Sequence, residues 1–116
     1  MTTARLMRMA CAATVLCALN TAPVYAMDLT ESEIMETHIG SCVTYWGDSK
    51  GTQCYHADGT TEYNDESYGK DTGTWRIKDD QFCVTWSNEG SETCFTYSTD
   101  GNGKYYSGGY EWTIDN

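Results

Sequence analysis

The stretch from Cys42 to Gly59 reads CVTYWGDSKGTQCYHADG, and the stretch from Cys83 to Gly101 reads CVTWSNEGSETCFTYSTDG. Both run Cys-Val-Thr, a Trp, a polar turn, Cys-aromatic and then Asp-Gly. Each is followed downstream by a Trp-x-Ile unit, Trp75-Arg76-Ile77 and Trp112-Thr113-Ile114. Alternating apolar residues on either side of a Gly-containing turn are the signature of a β-hairpin. A small chain that writes this hairpin twice, with a cysteine on each arm, describes a disulfide-stapled β fold of two related four-stranded halves.

One register serves both purposes in the second hairpin. Phe82, Val84 and Trp86 alternate with Cys83 and Thr85, while Thr93, Phe95 and Tyr97 alternate with Cys94 and Thr96. Setting Cys83 opposite Cys94 also sets Phe82 opposite Phe95 and Val84 opposite Thr93, so the cross-link and the apolar face agree. The turn falls at Asn88-Glu89, before Gly90. By the same arithmetic Cys42 faces Cys54, with Thr44 opposite Thr52 and a turn near Asp48. Tyr45 is an extra residue in the first copy, so Trp46 moves to the opposite face from Trp86 unless a bulge absorbs it.

Asp58-Gly59, Asp79-Asp80, Asp100-Gly101 and Gly108-Gly109 mark further turns. The strands expected between them span 39–46, 52–57, 60–64, 72–77, 81–86, 92–98, 103–107 and 110–114. Residues 64–73 (NDESYGKDTG) are the longest polar stretch and read as a mobile loop. About eight short strands at this spacing give an all-β fold, an antiparallel meander closed or nearly closed into a barrel. One short N-terminal helix precedes them, from about Thr30 to His38. Thr30 caps it, Glu33 completes a capping box, Leu29 packs on Ile34 as a hydrophobic staple, and Gly40 ends the turn.

Residues 1–26 read as a removable secretory signal peptide. Arg5 and Arg8 form the positive start, Met9 to Leu19 the apolar run, and Val24-Tyr25-Ala26 the cleavage site. The run is too short to span a bilayer, and neither Cys11 nor Cys17 has a lipoprotein context. Residues 27–116 then form a single domain, periplasmic or secreted, with no membrane span. Of the chain's 7 basic and 17 acidic residues only Arg5 and Arg8 lie in the leader, which leaves 5 against 17, or −12. A field of that sign repels nucleic acid and anionic surfaces and favours a cationic partner.

After cleavage, the aliphatic core candidates are Leu29, Val43, Val84, Ile34, Ile39, Ile77 and Ile114, joined by Phe82 and Phe95. So few, with so much charge, is the composition of a disordered chain. The rings and cysteines reverse that reading. The four tryptophans and the tyrosines after residue 26 supply large buried areas, and four cysteines remain after cleavage. Four cysteines allow three connectivities. The register favours Cys42–Cys54 and Cys83–Cys94, each closing a loop worth roughly 3 kcal/mol in the chain-entropy model. With no C-x-x-C arrangement, these are structural staples rather than redox groups.

Catalytic chemistry finds little purchase. His38 sits at the helix end, and His56-x-Asp58 is far short of a zinc site. No nucleophile-elbow, H-E-x-x-H or phosphate-loop pattern occurs. Asp65-Glu66 and Asp79-Asp80 lie in polar segments where nothing raises a carboxyl pKa. Asp100-Gly101-Asn102-Gly103 opens like a calcium loop but lacks the ligands that should follow. The sequence implies no catalytic residue, no metal and no cofactor.

Binding is the better expectation. Tyr45, Trp46, Tyr55, Tyr63, Tyr68, Tyr97, Tyr105, Tyr106, Tyr110 and Trp112 exceed what one small core should hide, so some rings should face outward. Exposed rings beside Asp, Asn and Glu suit sugar stacking or a protein interface. Tyr45, Trp46, Tyr55 and Trp112 are the candidates. Scarce aliphatics argue against a fatty-ligand calyx. Acidic hairpin tips at Asp48 and at Glu89 with Glu92 would present charge to a cationic protein.

Gly73-Thr74-Trp75-Arg76-Ile77, Phe82-Cys83 through Trp86, and Cys94-Phe95, preceded by Tyr55-His56-Ala57-Asp58-Gly59, together resemble the pattern of a small exported proteobacterial domain-of-unknown-function family. The resemblance covers most of residues 30–106. It implies a paired Cys83 and Cys94 and a lipocalin-like or meander barrel, and it lends no catalytic residues. Cys42 and Cys54 depart from that pattern, so their pairing rests on register alone. The expectation is an exported, non-enzymatic binding protein, such as an acidic inhibitor of a cationic lytic enzyme. An envelope-glycan or small-ligand module is the alternative, and a small hydrolase the weakest one.

Overall fold

The computed structural model describes residues 26–115. Apart from Ala26, the expected signal peptide lies outside the described residues. The chain forms β1 (Met27–Asp28), α1 (Glu31–Thr37), β2 (Cys42–Gly47), β3 (Gly51–Tyr55), β4 (Thr60–Asp65) and β5 (Gly69–Lys78). It continues through β6 (Gln81–Trp86), β7 (Glu92–Phe95), β8 (Ser98–Thr99), β9 (Lys104–Ser107) and β10 (Tyr110–Asp115). All ten strands belong to one antiparallel sheet ordered β1-β8-β9-β10-β2-β3-β4-β5-β6-β7.

The sheet curls into a half-barrel. β7 ends the strand order on one side and β8 stands next to the other end, yet only Thr96 and Tyr97 separate them in the chain. Two strands are added to the eight expected, and this crossing accounts for one of them. The expected single strand over 92–98 divides where its backbone leaves β6 and joins β9, and Met27–Asp28 adds a short partner to β8.

Both stapled hairpins take the register that their side chains dictate. Cys42 pairs with Cys54 and Thr44 with Thr52 in the first, and Cys83 with Cys94, Phe82 with Phe95 and Val84 with Thr93 in the second. Disulfides join Cys42 to Cys54 and Cys83 to Cys94, with Cα atoms 4.0 and 3.9 Å apart. The β2–β10 and β2–β3 ladders run without a bulge, so Tyr45 faces inward and Trp46 outward, where Lys104 Nζ lies 5.9 Å from its ring centroid.

The polar stretch over 64–73 is mostly strand, not loop. Asp65 Oδ1 accepts the backbone N–H groups of Ser67 (2.7 Å) and Tyr68 (2.9 Å), which folds Glu66-Ser67-Tyr68 into a tight turn. Its neighbours can therefore pair out to Asp65↔Gly69. At the opposite end, Asp79 and Asp80 both take positive φ to make the two-residue turn between β5 and β6.

α1 lies across that same end. Thr30 Oγ1 accepts the Glu33 N–H and the Glu33 side chain accepts the Thr30 N–H (2.8 Å), which completes the capping box. Asp80 Oδ1 holds the Glu31 N–H at 2.7 Å and so ties the helix start to the β5–β6 turn. Leu29 and Ile34 are both buried in the core with Val43, Tyr55, Phe82, Val84, Tyr97 and Trp112. Rings make up half of these eight residues and supply the core's largest side chains. They meet edge to face or stacked, with Tyr55–Phe82 at 5.2 Å and Phe82–Tyr97 at 5.3 Å between centroids.

Candidate functional site

The curl leaves a cavity of about 480 Å³ on the inner face of the sheet, within the range of small-molecule sites. Strand alternation supplies its wall, because residues two apart share a face. Tyr45 and Val43 enter from β2, Gln53 and Tyr55 from β3, Tyr63 and Asp65 from β4, and Phe82, Val84 and Trp86 from β6. Tyr68, Asn88 and Glu89 come from the turns opposite α1, so the mouth opens at that end. Tyr68 is 71% exposed on the rim, whereas Phe95 of β7, also partly exposed, pairs with Phe82 toward the α1 end. Two edge-to-face pairs furnish the upper wall, Tyr63–Trp86 at 4.7 Å and Tyr45–Tyr110 at 5.5 Å.

A polar chain crosses the wall. Tyr45 Oη and Ser49 Oγ each donate to Asp65 Oδ2 at 2.6 Å. Since the Ser49 hydrogen is thereby engaged, Tyr110 Oη donates to Ser49 Oγ at 3.1 Å. Asp65 is buried, with 5% exposure, and burial alone would raise its pKa. Ser49, Tyr45 and the backbone N–H groups of Tyr68 and Ser67 outweigh that and hold the carboxyl down at about 2. Burial, reinforced by the bond to Asp65, raises the Tyr45 phenol. The carboxylate is thus ionised among neutral donors. Gly51 makes room for this arrangement, because a Cβ there would sit 2.7 Å from Tyr45 Cζ.

The floor, beneath α1, is closed by His38. This imidazole is 0% exposed and ringed by Tyr55, Tyr97, Tyr105 and Trp112. Trp112 Nε1–H donates to His38 Nε2 at 2.9 Å. Thr37 Oγ1 already donates to the Glu33 carbonyl (2.6 Å), so His38 Nδ1–H donates to Thr37 Oγ1 at 2.8 Å. Those two bonds fix the neutral tautomer with its proton on Nδ1. Burial pushes the His38 pKa down to about 4.

The sequence-derived candidates divide between this cavity and the outer surface. Tyr45, Tyr55, Trp112 and Glu89 line the cavity, but Tyr55 and Trp112 are buried near its floor. Trp46 is outside. Glu92 is also outside and is held by Arg76 through two bonds of 2.7 Å. Asp48 lies against Gly109 at the β2–β3 turn. Some rings do face outward, Trp46 among them, but curling a single sheet gives most of the others one shared interior, and Tyr68 is the most exposed ring among the described residues.

Sequence reasoning missed Trp86, Tyr63, Phe95 and Asp65 as site residues. The alternation of Tyr63 with Asp65 on one face was the available signal. His56 Nε2 and Glu62 Oε1 are 2.8 Å apart but half-exposed on the outer face, away from the cavity. Cys83, Glu92 and Cys94 cluster closely enough to resemble a metal site, but the two sulfurs are bonded to each other. No described helix is long and apolar enough to cross a membrane.

No family model matches this chain, and no curated protein or solved structure does. Its chemistry is read from its own walls.

Proposed function

We propose that this chain is an exported, non-enzymatic binding protein that holds a small molecule inside its curled sheet. The observation that carries the reading is the cavity of about 480 Å³, walled by aromatic rings and open at one end. In this reading residues 92–99 close the sheet into a lipocalin-like barrel whose floor is α1 and whose rim is Tyr68, Asn88 and Glu89. Export to the periplasm or beyond, directed by residues 1–26, accords with two disulfides, which persist in oxidising compartments. Likeness to a small exported proteobacterial family belongs to the same proposal and adds no activity to it.

The cavity reading is tested with the neutral dye Nile red. The oxidised protein should bind one dye per chain, with energy transfer from tryptophan. Ser107→Trp, which plugs the wall from a half-buried position, should abolish binding while leaving the far-ultraviolet circular dichroism unchanged. Equal binding by the plugged variant, or none by the parent, refutes the reading.

A second reading, an acidic binder of a cationic protein, draws on the excess of 17 acidic over 5 basic residues after residue 26. Its signature is association that weakens steeply with moderate salt. Salt-insensitive association would remove it.

A further inference from the structure

We propose that the cavity selects organic cations, namely amines or quaternary ammonium groups, because aromatic faces and carboxylates line it without a basic side chain among the described lining residues. This rests on the small-molecule reading above and names the ligand class. A cation over an aromatic face is attracted by the ring quadrupole, more so once water is excluded. Trp86 and Tyr63 furnish such faces on one wall, and Tyr45 and Tyr110 on another. In each pair the rings stand nearly perpendicular, and it is a ring face, not its positive edge, that attracts an ammonium.

Charge points the same way. Asp65 is an ionised group whose four partners, Tyr45, Ser49 and the N–H groups of Ser67 and Tyr68, are all neutral. Those bonds satisfy its lone pairs but leave its charge uncancelled, and no described Lys or Arg forms a salt bridge with it. Glu89 adds a second carboxylate at the mouth, free of any salt bridge among the described residues. An anionic ligand such as a fatty acid would enter against both charges and find no cation waiting. A neutral ligand would gain ring contact alone. Only a cationic one gains from every feature of the wall, and the excess of acidic residues draws it toward the mouth.

Competition against bound Nile red tests this with three ligands of nearly one shape: choline, neohexyl alcohol (carbon in place of the ammonium nitrogen) and tert-butylacetate. Choline should bind about tenfold more tightly than neohexyl alcohol, and tert-butylacetate should not compete. Glu89→Gln, a change at an exposed rim position, should lower choline affinity about threefold to tenfold while leaving neohexyl alcohol unchanged. If Nile red binds but choline shows no advantage over its neutral isostere, the cation inference is overturned and the cavity reading stands. Tighter binding of tert-butylacetate also overturns it. Failure of Nile red itself removes the small-molecule reading instead.

Discussion

Acidification should destabilise this protein in a pH window set by His38 that opens near pH 6.5, above the range where most carboxylates titrate. The buried imidazole is neutral, accepts from the Trp112 indole and donates to Thr37. A second proton must go on Nε2, where it would face the Trp112 N–H, and the surrounding Tyr55, Tyr97 and Tyr105 rings offer no counter-charge. The pKa falls from 6.5 to about 4. The unfolded chain therefore binds this proton more tightly than the folded one. Stability from the neutral ring is complete above pH 6.5, declines as pH falls, and is fully lost below about 4. A shift of that size corresponds to about 3 kcal/mol, a large share of what a domain of this length commands.

Urea denaturation of the oxidised protein at successive pH values from 7 to 4 should show this loss, and His56→Gln should leave it intact. The imidazole Cε1–H resonance of His38 should titrate with its midpoint near pH 4, as the depressed pKa requires. A titration of that resonance near 6.5, or a midpoint that stays flat through the window, would refute the reasoning.

Removing either disulfide should cost roughly 3 kcal/mol, since each closes a short loop of 12 or 11 residues; Cys42→Ser/Cys54→Ser and Cys83→Ser/Cys94→Ser proteins should each show the loss by urea denaturation. Asp65→Asn should destabilise by about 2 to 4 kcal/mol, because an amide puts N–H groups in place of one oxygen, against either the Tyr45 and Ser49 hydroxyls or the Ser67 and Tyr68 N–H groups. The parent carboxyl is depressed from 3.8 to about 2, so its contribution is full above pH 3.8 and disappears as pH drops to 2; in the variant that acid limb should vanish. Gly51→Ala should displace the Tyr45 ring, seen as a lower midpoint together with weaker dye binding, because its Cβ meets both Tyr45 and the Asn64 carbonyl.

Much of the architecture was legible because each local signal had a single consistent solution. The cysteine registers, the Thr30–Glu33 capping box and the turns at Asp58, Asp79 and Asp100 all follow from period-two patterning or from the φ and capping habits of particular residues. Residues 64–73 depart from expectation because a polar composition does not by itself make a segment mobile. Asp65 is polar by composition but structural by position: the N–H groups of Ser67 and Tyr68 are at local turn spacing, but Tyr45 and Ser49, 20 and 16 positions away, give no warning in the sequence.

The linear chain by itself determined which side chains share a face, where it turns, and that rings and cross-links must replace missing aliphatics. Alternation is local, so a strand carries it unaided. Only the tertiary structure decided that the faces curl around a void, that Glu92 is tied to Arg76 while Glu89 stands at a mouth, and that His38 is sealed beneath Trp112. The Arg76–Glu92 tie reaches 16 positions across β6, and the sealing of His38 joins residues 74 positions apart, while the void itself needs the backbone to cross from β7 to β8. No short window of sequence encodes that crossing.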